Sequence, residues 1–311
     1  MGSRIFSVIV CTYNRSELLG NCLESLVGQD VDQGLYEVVI INNNSTDETV
    51  SVVDKFIEKF PNVRLVYEQK QGLSHARNRG WREAKGRYVA YIDDDATAHN
   101  NWIYEMHQFT VRHPEIQAFG GPYFPFSFVE IPDWMPDGFG KNYKGEEERP
   151  VDIGREWISG SNMVFKKKIL NNIGGFATDL GMTGKKVAYG EETVLFRKIS
   201  SLKHSVYYVP KMQVDHLVAE YKMNFKWILK SYYAHGRCGA RVTLNERSMG
   251  AHFVDTWKTL RRFFVTLHKV NKNLTKKELL QLLMPVSFQF GSVIEKVMIS
   301  LKFEYVEQKE K

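Results

Sequence analysis

Three consecutive carboxylates, Asp93, Asp94 and Asp95, follow directly on the apolar run Tyr88–Ile92. A run rich in β-branched and aromatic residues predicts a strand buried on both faces. Adjacent carboxylates at the edge of a buried strand repel one another and raise each other's proton affinity. A divalent cation removes that penalty. Hard oxygen ligands suit Mg2+ or Mn2+, and such ions commonly sit between one or two carboxylates and a substrate phosphate. The competing reading is a helix N-cap cluster ahead of Asn100, for which a single Asp would be enough. A second acidic pair, Glu191-Glu192, opens a predicted helix, where the helix dipole alone already favours acidic residues.

The elements that must position these groups can be read from apolar periodicity. Ile5–Val10, Glu37–Ile41, Val63–Tyr67 and Tyr88–Ile92 read as strands. Between them, Leu18 to Val27, Val50 to Phe60 and Gln71 to about Gly86 show helical spacing, with Ser16 placed to cap the first helix. Strand alternating with helix implies a parallel sheet with right-handed crossovers, and ligands bind such sheets beyond the carboxyl ends of the strands. Polar clusters stand at those ends: Thr12 to Arg15, Asn42 to Asp47, and the aspartate trio. Further on, a helix from Asn100 to about His113 and a strand at Gln117–Gly121 precede a Pro-, Gly- and aromatic-rich stretch, Pro122 to Glu156, which reads as one long loop. Trp157–Phe165, Val206–Val209 and Lys211–Val218 read as ordered or closing strands, and the chain is helical from Tyr221 onward, broken or kinked at Pro285.

Bulk composition narrows the function classes. The 311 residues are 43% apolar and 25% charged, ordinary for a globular chain that holds one large α/β domain plus an appendage. No uninterrupted apolar run reaches the length of a membrane span, and the N-terminus lacks a signal-peptide layout. Three widely spaced cysteines, Cys11, Cys22 and Cys238, offer neither a disulfide framework nor a zinc site and suit a reducing compartment. The net charge of +6 is concentrated in the tail, where Thr256 to Lys311 hold eleven Lys or Arg against five Glu. There Phe253, Val254, Trp257, Leu260, Phe263, Phe264 and Leu267 share a predicted helix with Lys258, Arg261, Arg262 and Lys269. A basic amphipathic helix of this kind suits an anionic membrane face, packing on the body or a second subunit, or simply a solvated basic face. No nucleic-acid reader motif is present, so nucleic acid is not an expected partner.

Eight short stretches, in this order and spacing, carry a family resemblance: Val8–Asn14, Asn43–Asp47, Gly72–Asn78, Asp93–Asp95, Ser159–Met163, Gly174–Phe176, Gly190–Glu192 with Arg197, and Val214–His216. Over roughly Ser7 to Gly239 the chain resembles family 2 glycosyltransferases of the GT-A fold. The resemblance implies an α/β, Rossmann-like, mostly parallel central sheet flanked by helices. Residues 1–220 would form the catalytic domain, with the nucleotide-binding half at about 1–120 and the acceptor half at about 121–220. Residues 221–311 would form a C-terminal helical region. It further implies a metal-dependent, inverting transfer of sugar from a nucleotide-diphospho-sugar, UDP-linked by expectation, to a glycan or lipid-linked acceptor.

Residue by residue, Asp95 matches the family's metal-binding carboxylate, with Asp93 and Asp94 sharing contacts to metal and ribose, and His216 matches a further metal ligand of some relatives. Thr12, Tyr13 and Arg15 lie where the family lines the base and ribose pocket. Asn43 stands where relatives often carry an Asp that bonds the base; an amide still offers both donor and acceptor. Arg77 matches a residue near the diphosphate, a task that suits guanidinium. Glu192 is the expected general base and Glu191 the alternative. Here the pair is Glu-Glu where the family usually has Glu-Asp. Trp157, Gly160, Ser161 and Asn162 are expected to shape the acceptor pocket. The processive members' spans and Gln-x-x-Arg-Trp motif are missing from the sequence, so one sugar per encounter is expected, with the enzyme cytoplasmic or peripheral on the inner membrane face. The rival readings are a degenerate sugar-nucleotide binder and a nucleotidyltransferase; the latter would need a Gly-rich basic loop where Thr12–Arg15 stands.

Overall fold

The computed structural model describes residues 4–184, 187–243, 248–269 and 274–309. Its first part alternates as expected: strands β1 (Phe6–Thr12), β2 (Tyr36–Asn42), β3 (Val63–Tyr67) and β4 (Tyr88–Asp93), with helices α1 (Ser16–Val27), α2 (Thr49–Ile57) and α3 (Leu73–Glu83) between them. The short strand β5 (Ala96–Ala98), helix α4 (Trp102–Arg112) and strands β6 (Ala118–Gly120), β7 (Tyr123–Phe126), β8 (Arg149–Pro150) and β9 (Met163–Lys166) follow. Helices α5 (Lys167–Ile173) and α6 (Glu191–Ser201), then strands β10 (Val206–Tyr208) and β11 (Val214–Leu217), lead to three long helices. These are α7 (Phe225–Val242), α8 (Met249–Lys269) and α9 (Lys276–Lys309).

Eight strands form one sheet in the order β3-β2-β1-β4-β9-β6-β10-β8. The four on one side are mutually parallel, and β9 runs antiparallel between β4 and β6. Side chains alternate across a strand, and both faces of this sheet are covered. Val8, Val10, Val38 and Ile40 enter one apolar cluster, whereas Ile9, Val39 and Ile41 enter the other. That two-sided burial is why these strands read as unbroken apolar runs. The register places Thr12 opposite Asn42 and Cys11 opposite Asp93, so the polar strand ends lie along a single edge. A second sheet, β5-β11-β7, stands beside that edge and pairs His216 with Ala96.

Several local expectations change. Ser16 does not cap α1; Arg15 takes the cap position without a side-chain bond, and the Ser16 N–H donates instead to Asp47 Oδ2 at 3.0 Å. Asp47 can do this because the β2–α2 turn folds back on the β1–α1 turn, a contact invisible to local spacing. The stretch from Pro122 to Glu156 is not one irregular loop: it contains β7 and β8, and Tyr123 bridges to Asn142. Pro285 lies inside α9 rather than ending it. Among the described residues one helical segment, Lys276–Ser300 of α9, is long and apolar enough to cross a membrane by length and composition; scattered polar residues interrupt its apolar run in the sequence. In the tail, the side chains of Leu267 and Lys269 lie outside the described residues.

The chain divides into two compact units: Met1–Phe126 with Gly140–Lys185 and Glu191–Leu217, and Ser127–Phe139 with Lys186–Gly190 and Val218–Lys311. The second unit has its own small core, in which Met135, Val218, Met223, Ile228 and Leu280 are buried together.

Candidate active site

Strand β4 delivers Asp93 to the sheet edge, and Asp94 and Asp95 turn away from it into β5. The Leu217 N–H donates to Asp95 O at 2.9 Å, which fastens β11 beside the turn and brings His216 inward. His216 Nε2 lies 3.2 Å from Asp95 Oδ1 and 3.5 Å from Asp93 Oδ2. From the other side Arg15 Nη1 reaches Asp95 Oδ2 at 2.5 Å and Asp94 Oδ1 at 3.3 Å, and Arg77 Nη2 lies 3.4 Å from Asp93 Oδ1. The chain therefore surrounds its three carboxylates with cationic groups of its own. One potential ligand atom from each of Asp93, Asp95 and His216 lies within 4.8 Å of the others. Two carboxylates and an imidazole in that space fit a small divalent ion, which would displace the proton that His216 otherwise holds.

Burial opposes a charge on His216, but Asp95 and Asp93 outweigh it and push its pKa up to about 9. Burial also acts against ionised Asp93, yet the His216 bond and the Arg77 charge hold it below its ordinary value. Asp94 goes the other way: burial, only partly offset by Arg15, pushes it up to about 7.

Arg77 links this cluster to the second acidic pair. Its helix, α3, packs on the face of the sheet that carries Ile9, Val39 and Ile41, and Tyr91 donates its hydroxyl to Arg77 O at 3.0 Å. Arg77 Nη1 bonds Glu191 Oε1 at 2.6 Å, with both side chains buried. Gly160 lies against the guanidinium: a Cβ there would stand 3.1 Å from Arg77 Cζ and closer still to Nη2. Glu191 and Glu192 occupy the first turn of α6, as the sequence predicts. Their environments differ. Glu191 Oε1 is held by Arg77, whereas no ion pair reaches Glu192 among the described residues; Oε2 of each is buried without a hydrogen-bond partner. Burial, then the neighbouring Glu191 charge, push Glu192 up to about 8, with Arg77 only partly opposing them.

The remaining candidates fall into distinct settings. Thr12 is buried at the end of β1, and Tyr13 is exposed beside it. Asn43 is buried, and its amide is fully engaged: Nδ2 donates to Glu68 O and Lys70 O, each at 2.8 Å, and Oδ1 accepts from Gly72 N at 2.8 Å. In this structure it holds the β3–α3 connection. Asn162 is likewise enclosed, donating to Pro122 O and Met212 O while accepting from Trp102 Nε1. Ser161 is buried with its hydroxyl 2.9 Å from that of Ser159. Trp157 is exposed, and Lys144 Nζ sits 4.9 Å from the centre of its ring. Sequence reasoning passed over Tyr123. Its ring centre is 5.5 Å from that of His216, and burial, then the Asp93 and Glu192 charges, push its hydroxyl up to about 12. Its position in the Pro-rich stretch read as loop concealed it.

The family model described as Glycosyl transferase family 2 matches residues 7–174, more than half of the chain. The chain is a family 2 glycosyltransferase. The glucosyl-dolichyl phosphate glucuronosyltransferase of Haloferax volcanii is 30% identical to it over 230 residues, covering 72% of each chain. The poly(ribitol-phosphate) beta-glucosyltransferase of Bacillus spizizenii is 23% identical over 222 residues, 69% of this glycosyltransferase and 34% of that relative, so the chain spans about a third of it. Among solved structures, mannosyltransferase PcManGT from Pyrobaculum calidifontis, in complex with GDP-Man and Mn2+, matches with a TM-score of 0.64 at 19% identity. That match covers 94% of this glycosyltransferase and 86% of PcManGT. S. aureus TarS in complex with UDP-GlcNAc matches with a TM-score of 0.57 at 19% identity, covering 78% and 68%. These likenesses show the GT-A fold.

Proposed function

We propose that this enzyme is a metal-dependent, inverting, non-processive glycosyltransferase, with a UDP-linked sugar as donor and a glycan or lipid-linked hydroxyl as acceptor. The observation that carries the reading is the contrast between Glu191, bound through Oε1 to Arg77 at 2.6 Å, and Glu192, which has no ion pair among the described residues and a raised proton affinity. A carboxylate of raised pKa is a stronger base once ionised, so Glu192 would accept the proton in the ionised fraction of the enzyme, which grows as pH rises toward about 8. Glu192 is therefore assigned as the base and Glu191 as a positioning residue. In the reaction the acceptor oxygen attacks the anomeric carbon as the bond to the diphosphate oxygen breaks. The hydroxyl proton passes to Glu192, and the configuration inverts in one displacement.

Asp93, Asp95 and His216 would hold Mg2+ or Mn2+, whose chemistry is to offset the charge of the departing diphosphate. Asp94, with Thr12, Tyr13 and Arg15, would line the nucleoside side of the donor site, and Arg77 would face its diphosphate. Asn43 would act by fixing the β3–α3 connection. Gly160 and Ser161 would shape the acceptor side, with Trp157 as an exposed apolar platform for a sugar face and Asn162 as the buried support beneath them. The UDP donor is supported by the TarS complex with UDP-GlcNAc and the divalent ion by the PcManGT complex with Mn2+. The name of the Haloferax volcanii relative supports a lipid-linked acceptor.

The test is release of nucleoside diphosphate from candidate donors with Mn2+, repeated after chelation. Turnover that survives chelation would remove the metal from the mechanism. Release of pyrophosphate would favour a nucleotidyltransferase, and donor binding without release a degenerate binder.

A further inference from the structure

Helix α8 presents an outer face that nothing in the transfer reaction uses. At 3.6 residues per turn, Phe253, Trp257 and Phe264 fall on one stripe, and Arg261, Lys258 and Arg262 on the stripe beside it, with Val254 and Val265 among the cations. All eight side chains are exposed, Trp257 at 63% and Phe264 at 61%. Lys258, Arg261, Arg262 and Val265 line a surface hollow of about 470 Å³. The opposite face carries buried His252 and half-buried Leu260 and Phe263, and α8 packs against α9. Asp255 is the only acidic residue in the helix and lies half-buried at the edge of the outer face.

We propose that this outer face of α8 is a docking surface for an anionic lipid bilayer, with the helix lying in the plane of the interface. Three large aromatic side chains held in water have a strong tendency to bury themselves, and they sit at headgroup depth when flanked by cations. The adjacent guanidinium and ammonium groups outnumber the one acid at their edge, Asp255, three to one, and so complement lipid phosphates rather than the mixed charges of a protein partner.

Helix α9 is the rival membrane element, being span-like in composition, but it is committed to the bundle. Its Gly291 and Gly236 of α7 let the two backbones touch, since a Cβ on either would collide with a backbone oxygen of the other helix. Buried Glu295 of α9 is bound by Arg237 and Arg241 of α7. Helix α7, which also carries Lys226 and Lys230, is too charged to accompany α9 through hydrocarbon.

The test is flotation of the full chain with vesicles of phosphatidylcholine alone or with about a third phosphatidylglycerol. Binding to the anionic vesicles only, weakened by salt, is the expected result. Replacing Lys258, Arg261 and Arg262 together by Gln should lower partitioning about 100-fold, and W257A with F264A at least about tenfold. Both variants should keep the parent melting temperature and rate of donor hydrolysis in solution, because every altered group is exposed. No flotation, or flotation indifferent to the triple variant, would overturn the proposal. Bound protein that resists alkaline carbonate extraction would put α9 across the bilayer instead. Loss of a dimer in light scattering on W257A/F264A, without vesicle binding, would make the face a contact between copies of the chain.

Discussion

The two acidic clusters of the site differ in how their charge is met. At the end of β4 the carboxylates have cationic partners within the chain: Arg15 for Asp94 and Asp95, Arg77 for Asp93, and His216 for Asp93 and Asp95. At the start of α6, among the described residues, Arg77 bonds Glu191 and only partly offsets the burial and the negative neighbour that raise Glu192. A compensated cluster keeps its shape and waits for a more highly charged guest. An uncompensated carboxyl keeps a high proton affinity and is ready to take a proton. The same guanidinium serves both clusters, so the difference between them is set largely by where Arg77 points.

The hardest test of that contrast is E192Q, which keeps the shape and removes the proposed base. Transfer should fall about 10³-fold, while donor affinity by calorimetry stays within a factor of about two. A variant that still turns over would hand the base to Glu191. Next in size is R77M, which leaves Glu191 buried without its partner and should cost about 3–5 kcal/mol of stability in chemical denaturation. Adding E191M to it should restore a good part of that loss; a double variant as unstable as R77M would mean the ion pair is not what Arg77 provides. Smaller again is G160A. Its new methyl would press on the guanidinium, for an expected loss of about 1–3 kcal/mol and a drop in kcat larger than any change in KM. Unchanged kinetics would show that Arg77 tolerates the displacement.

How much of this was legible in the sequence depended on whether the cause was local. The alternating strands and helices of the first hundred residues were readable because both faces of the sheet are buried, so Val8–Val10 and Val38–Ile41 carry no polar interruption. The aspartate trio and the acidic start of α6 were readable as residue types at element ends. What could not be read was pairing at a distance. Nothing near Ser16 says that Asp47 will receive its N–H, nor that Arg77 will bridge to Glu191 more than a hundred residues on. Asn43 and Asn162 show the same limit: their residue type suggested ligand recognition, but tertiary packing enclosed both amides among backbone carbonyls. Tyr123 was lost because Pro122 and Pro125 made its surroundings look like loop, although the short strand β7 forms there by pairing with β11.

The most direct probe of the uncompensated carboxyl is its own titration. An ordinary glutamate in the unfolded chain loses its proton near 4.5, whereas Glu192 in the folded enzyme is pushed up to about 8. Between those values the folded state holds a proton that the unfolded state has released. Stability therefore falls as pH rises through that window and levels off above it. The amide that E192Q puts in its place has no proton to lose. The melting temperature of E192Q minus that of the parent should thus grow from about pH 4.5 to about pH 8 and then stay constant, reaching on the order of 7 °C. Asp94, which is also raised, titrates in both proteins and cancels in the difference. A difference that stays flat across the range would mean that Glu192 ionises as freely as a surface acid, and the contrast with Glu191 would lose its electrostatic basis.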